Sequence, residues 1–313
     1  MSKKSRSNKI EITRIYDAPV EMVWDAWTDD KQVALWWGPR GFTLTTHAKD
    51  IKPGGYWHYT MHGPDGVDYE NTAKYLEVEK HKRLVYDHGG HKDRPPLFRV
   101  TATFTDVAGK TRLDMAMALD TPEAADETRK FIKKAGGTGT WDRLAEYLEE
   151  KQTGQDVFVI ARSFEAPIDT VFDMWTNEKH FPRWMGPTGS TMKFIECNIR
   201  PGGTSFYEME FAGNTMYGKI EYKEITKPKR LVYKQWFATK EGGIGKHPLA
   251  PTWPTYMLTT VTFSEEGPDQ TRISIKWNID GEATQEEREA FHNAKPGMHG
   301  GWTGSLDKLE ELL

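Results

Sequence analysis

The sequence predicts an α+β protein made of two copies of one domain. Each copy is a curved antiparallel sheet of about seven strands wrapped on a long C-terminal helix, with two short helices at one end. Three observations predict this. The stretch Tyr16–Gly55 recurs as Phe164–Gly203 at a constant shift of 148, with sixteen of the forty positions identical. Within each copy the apolar spacing changes from helical to alternating after a Trp-x-Gly-Pro segment. Each copy then closes on an amphipathic stretch of helical period. A repeat of this length is one folded unit made twice. The join falls near residue 152, in the polar run from Glu149 to Gln155, giving domains 1–152 and 153–313.

In the first copy, Lys9–Tyr16 is short and rich in β-branched residues and reads as a strand. Pro19 suits the first turn of a helix, where its missing N–H costs nothing. Val23, Trp24, Ala26 and Trp27 form the apolar side of that helix. Thr28 is placed to cap a second short helix through Leu35 or Trp36. Pro53-Gly54-Gly55 reads as a tight turn. Strands are expected at Tyr56–His62, Val67–Val78, Arg83–His88, Leu97–Val107 and Lys110–Leu119. Alternation gives an inward set of Trp57, Tyr59, Met61, Tyr69, Asn71, Ala73, Tyr75, Phe98, Val100, Ala102, Phe104, Leu113, Met115 and Met117, the pattern of a sheet with one buried face. Thr121-Pro122 starts the closing helix, whose last turns carry Trp141, Leu144, Ala145 and Leu148. Gly136, Gly137 and Gly139 predict a break within it, glycine costing about 1 kcal/mol against alanine inside a helix.

The second copy repeats this plan with Val157–Phe164, a helix from Pro167 to Trp175 and the Pro201-Gly202-Gly203 turn. Its inward set is Tyr207, Met209, Phe211, Met216, Ile220, Tyr222, Met257, Val261, Phe263, Ile273, Ile275 and Trp277. Arg-Leu-Val-Tyr recurs at a shift of 147, but Phe104 and Phe263 stand 159 apart. An insertion therefore lies in Phe237–Pro254, a Gly- and Pro-rich loop that reads equally as a pocket lid or, through Trp236, Phe237 and Trp253, as a docking surface. Thr284 and Glu287 form a capping box opening a last helix that ends in Leu306, Leu309, Leu312 and Leu313. Counting back from the helix ends sets Trp302 against Gly137, so the two copies are expected to differ there.

Charge and composition exclude several classes. Residues 1–152 carry 24 basic and 24 acidic side chains, and residues 153–313 carry 18 and 22. Neither half has the positive excess that phosphate backbones demand, so no nucleic acid is expected. No apolar run is long enough to span or insert into a membrane. One cysteine, Cys197, excludes an internal disulfide framework and fits a reducing, cytoplasmic setting.

The candidate chemistry is sparse. His47, His58, His62, His81, His88 and His91 cluster in the first copy, but His58 and His62 fall on the face opposite the apolar one, as a solvated edge would. Glu208, Glu210 and Glu221 alternate with apolar residues in the same way. Cys197 has no histidine base beside it. No catalytic residue, metal or cofactor is expected. The expectation is instead a cavity between sheet and long helix in each copy. Its candidate ligand-binding residues are Trp57, Tyr59, Tyr69, Asn71, Tyr75, Met115 and Met117 in the first copy, with Tyr207, Met209, Met216, Tyr222, Met257 and Trp277 in the second. Buried hydroxyls need partners, which a ligand can supply.

Certain residues also carry a resemblance. Each copy has an aromatic before Ala-Pro, then Val-x-x-x-Trp-Thr, Trp-x-Gly-Pro, Pro-Gly-Gly, Arg-Leu-Val-Tyr, Thr-Arg and a leucine-bearing last helix. The set resembles the bacterial START-like family named for its similarity to the carboxy-terminal domain of the activator of the heat-shock chaperone ATPase, within the SRPBCC superfamily. The resemblance implies a helix-grip, birch-pollen-allergen-like fold and a hydrophobic pocket for lipid-like or polyketide-like molecules. Some relatives are polyketide cyclases or aromatases; no cofactor or shared catalytic residue comes with the family. The chaperone activator has a further amino-terminal domain for which residues 1–8 leave no room, so activation of that chaperone is not expected. Three readings follow: a binder of small apolar molecules, a cyclase- or hydrolase-type enzyme using the same cavity, and a protein-interaction module with an unspecified protein partner.

Overall fold

The computed structural model describes residues 7–89, 95–134, 139–154, 156–248 and 250–313. The chain forms two compact units, Met1–Lys151 and Gln152–Leu313.

Unit one runs β1 (Lys9–Tyr16), α1 (Val20–Thr28), α2 (Asp30–Trp36), β2 (Thr43–Lys49), β3 (Tyr56–His62), β4 (Asp68–Glu79), β5 (Arg83–His88), β6 (Phe98–Val107), β7 (Lys110–Ala118), α3 (Pro122–Lys134) and α4 (Gly139–Thr153). Its seven strands are ordered β1-β7-β6-β5-β4-β3-β2, and every neighbouring pair is antiparallel. After β1 the chain crosses on α1 and α2 to the far edge and walks back hairpin by hairpin. Pro19 caps α1, which buries Val20, Val23, Trp24, Ala26 and Trp27. Asp29, not Thr28, caps α2, its carboxylate accepting from the Lys31 and Gln32 N–H groups. Thr28 instead donates its hydroxyl to the Trp24 carbonyl at 2.8 Å, one turn back. A carboxylate at the cap also complements the positive end of the helix.

Unit two is the same fold: β8 (Val157–Phe164), α5 (Ile168–Thr176), α6 (Phe181–Trp184), β9 (Thr191–Glu196), β10 (Thr204–Phe211), β11 (Asn214–Thr226), β12 (Arg230–Ala238), β13 (Met257–Gly267), β14 (Gln270–Ile279) and α7 (Gln285–Glu310). The strand order is β8-β14-β13-β12-β11-β10-β9. The capping box is present, Thr284 Oγ1 accepting from Glu287 N–H and the Glu287 carboxylate accepting from Thr284 N–H. Helix α7 is 26 residues long and buries Phe291, Trp302, Ser305, Leu306 and Leu309 against the sheet.

The Pro-Gly-Gly turns are alike in both units. A Cβ on Gly55 would stand 2.1 Å from the Asp50 carbonyl oxygen, and one on Gly203 would stand 2.2 Å from that of Asn198. No side chain fits, so only glycine closes the turn. Bulges at Thr46/Ala48, Tyr75/Glu77, Phe206/Tyr207 and Tyr222/Glu224 bend both sheets around their helices.

Two expectations change. Trp302 takes the place of Trp141, not of Gly137: Trp141 lies on Trp27 at 5.4 Å between ring centroids, and Trp302 stacks on Trp175 at 6.3 Å. Gly136 and Gly137, where the break is expected, lie outside the described residues. Tyr69 and Phe211, expected inside, are 41% and 37% exposed, because both lie at the hairpin ends of their strands, past the reach of the covering helix.

Candidate functional site

Unit two encloses a cavity of about 250 Å³ between sheet, helix and insertion. Strands β9, β10 and β11 supply Met192, Tyr207, Met209, Met216 and Ile220, and β12 adds Tyr233, Gln235, Trp236 and Phe237. Helix α7 closes one side with Met298, Trp302 and Ser305. The turn after α6 brings Met185 and Pro187, and the insertion brings His247, Trp253, Pro254 and Thr255. None of the described lining residues is Asp, Glu, Lys or Arg.

The titratable groups here are held neutral near pH 7. Burial pushes the Tyr207 phenol up to about 12 and drives that of Tyr233 higher still. Burial also lowers His247, favouring the uncharged imidazole. The Trp277 indole N–H is buried with no acceptor among the described residues. The wall is therefore apolar, aromatic and uncharged. The hydroxyl end of the Tyr207 ring packs over Gly218, where a Cβ would come within 2.2 Å of it.

Of the candidate residues in the second copy, Tyr207, Met209, Met216, Met257 and Trp277 line the cavity. Tyr222 does not; it is 1% exposed and packs edge-on behind Tyr233 at 6.3 Å. The lining residues that alternation along strands does not reveal include Met185, His247, Trp253, Met298 and Trp302, which come from a turn, a loop and a helix. The Gly- and Pro-rich insertion is the sequence signal for His247 and Trp253.

At the matching place in unit one the rings pack on each other. Trp37 meets Trp57 at 5.0 Å, Trp36 at 5.3 Å, Trp27 at 5.4 Å, Trp141 at 6.0 Å and Tyr59 at 6.2 Å. Trp57 and Tyr59 are stacked at 4.0 Å. Tyr75 is buried edge-on to Tyr86, and Met115 and Met117 are buried on β7. Tyr69 is exposed, and the half-buried Asn71 donates its side-chain amide to the Tyr69 carbonyl. Register explains the contrast. Trp37 is replaced by Met185 one residue past the short helix, and Trp57 opposite Ala73 is replaced by Ser205 opposite Ile220.

Of the other candidates, His88 stacks on Phe98 at 4.8 Å, where burial lowers its pKa to about 4, and the following lie on outer faces. Glu208 pairs with Lys193 at 2.9 Å and Glu221 with Lys223 at 2.7 Å. His58 bonds Glu70 and His62 bonds Asp68; His91 lies outside the described residues. Among the described residues no group of three or more His, Cys, Asp or Glu side chains could hold a metal. Cys197 accepts a long hydrogen bond from Ser205 at 3.8 Å, and burial raises its thiol.

No curated protein matches the chain. Similar solved structures include a Nitrosomonas europaea protein at 21% identity, covering 49% of this chain and 100% of that one with a TM-score of 0.43. An AHSA1-like protein from Aeromonas hydrophila is 23% identical over 47% of this chain and 95% of that one, with a TM-score of 0.38. The di-domain ARO/CYC BexL from the BE-7585A biosynthetic pathway covers 97% of both chains at 13% identity and a TM-score of 0.40. The family model described as Activator of Hsp90 ATPase homolog 1-like protein matches residues 17–149 and again residues 165–313. The duplicated helix-grip chain belongs to that family, twice over.

Proposed function

We propose that unit two binds a small, uncharged, mainly apolar molecule with flat or aromatic groups, and that it does so without transforming it. The observation that carries this reading is the 250 Å³ cavity whose described lining holds no charged residue. A dry cavity of about 150 Å³ suffices for benzene, so this one has room for about two fused rings. Burying such a ligand is driven by the apolar area it removes from water. The lining groups able to move a proton, Tyr207, Tyr233 and His247, are all shifted toward their neutral forms by burial. That supports binding over acid–base chemistry. In unit one the aromatic cluster around Trp37 serves as core, so the candidates Trp57 and Tyr59 stabilise the fold there. The single, half-buried Cys197 supports residence in a reducing compartment.

Native mass spectrometry of the purified chain, with titration of a neutral polycyclic fluorophore, tests this. One saturable site lost on Met185→Trp is the expected result. Unsaturable binding, or binding unchanged by that substitution, would overturn it.

A further inference from the structure

Six of the twelve methionines in the chain line the unit-two cavity. Three of them form a row. Met192 on β9 is directly opposite Met209 on β10, and Met209 is directly opposite Met216 on β11. Directly paired residues share a face with Cβ atoms about 5 Å apart, and all three side chains line the cavity. Met185 joins them from the turn beside Gly186. The thioether of Met209 lies against Gly186: a Cβ there would come within 2.8 Å of its methyl and 3.2 Å of its sulfur.

From this geometry we infer that Met192, Met209 and Met216 form a thioether site for a soft monovalent cation, Cu(I). Three thioethers on one face of the sheet suit such an ion, because thioethers are soft, polarisable donors. The described lining offers no carboxylate for a hard dication such as Mg²⁺ or Ca²⁺, and only a single imidazole, His247, with no thiolate for Zn²⁺. A single positive charge on soft ligands is the least costly ion to place in such a wall. Unit one supplies an internal comparison. The same row in unit one reads Leu44, Met61 and Tyr69, with one sulfur in place of three. The site goes beyond the apolar-ligand reading and does not depend on it.

The test uses the full chain under anaerobic ascorbate, with Cu(I) delivered from a chromogenic chelator. One equivalent is expected to transfer. Ag(I), a redox-inert stand-in, is expected to shift the ¹³C ε-methyl signals of Met192, Met209 and Met216 together at one equivalent. Met209→Leu, which keeps the side chain's volume, is expected to weaken Cu(I) at least about tenfold. Met61→Leu and Cys197→Ser are expected to leave it unchanged. No transfer from the chelator, transfer lost with Cys197→Ser, or methyl shifts outside the row would each overturn the assignment. Neutral-fluorophore binding in the same samples is read separately, so failure of the metal site leaves the apolar-ligand reading standing or falling on its own result.

Discussion

Trp37 and Met185 hold one position in the two repeats, the residue that caps the second short helix, and they set the two interiors apart. Trp37 touches five other rings at centroid distances from 5.0 to 6.2 Å, whereas Met185 borders open space. Replacing Met185 by Trp should carry the unit-one packing into unit two. Fluorophore affinity should fall by at least tenfold, a loss of about 1.4 kcal/mol or more. Unit two should lose little stability, since the added ring fills a void and does not crowd a dense core. Titration and urea unfolding of the same variant check both halves of the expectation.

Much of this was legible from residues alone. The shift of 148 announced the duplication, and alternation along β3, β6, β10 and β14 found the buried face. The Thr284 cap and its Glu287 partner were readable because a capping box is local in sequence. What alternation does not encode is which buried residues meet a neighbour and which meet a void. Trp57 and Met209 obey the same period, yet the first is stacked on Tyr59 and the second lines a cavity. The difference is fixed by residues far away in the chain, Trp37 against Met185 and the insertion against its absence. Tyr69 was misplaced for a related reason: period two gives the side of a strand, not where the cover over it ends.

Arg143 on α4 holds the Trp-Gly-Pro turn of unit one. Its guanidinium donates to the carbonyls of Gly38 and Pro39 at 2.9 Å and of Phe42 at 3.2 Å. Repeat two has Gly304 at this place, and Thr188 closes directly on it; a Cβ there would stand 2.4 Å from the threonine hydroxyl. Arg143→Met should leave those carbonyls unpaired and destabilise unit one by about 2–3 kcal/mol. Hydrogen exchange should speed up in unit-one amides and leave unit-two amides unchanged.

Lys49 is a buried cation. Its ammonium donates to the Trp27 carbonyl at 3.0 Å and stands 4.6 Å from the Trp57 ring centre, with Asp30 at 3.6 Å. Burial lowers its pKa to about 8, against the pull of Asp30. The unfolded chain therefore binds more protons between pH 8 and 10.5, and the lysine's penalty shrinks as pH rises through that window. At pH 7 the penalty is about 3 kcal/mol. Lys49→Met should recover part of it at pH 7, less the cost of the orphaned Trp27 carbonyl, and gain progressively less toward pH 10. Urea unfolding of wild type and variant across this range gives the difference directly; a gain that grew with pH would contradict the burial argument.

Tyr207 and Gly218 set the floor of the cavity. The Tyr207 ring can sit over residue 218 because that residue has no side chain, and a Cβ there would overlap its ring carbons and hydroxyl. Gly218→Ala should lift the ring into the open space, leaving the strand pairing of Tyr207 with residue 218 intact. Fluorophore affinity should then drop steeply with little change in unfolding midpoint. Because burial holds the Tyr207 phenol near 12, wild-type affinity should stay level from neutral pH to about pH 10. The variant's lifted ring regains solvent, so its phenol should titrate at lower pH, and ultraviolet difference spectra in the phenolate band would follow it. A variant whose phenol titrates as wild type would mean that the ring had stayed down and that the floor is set elsewhere.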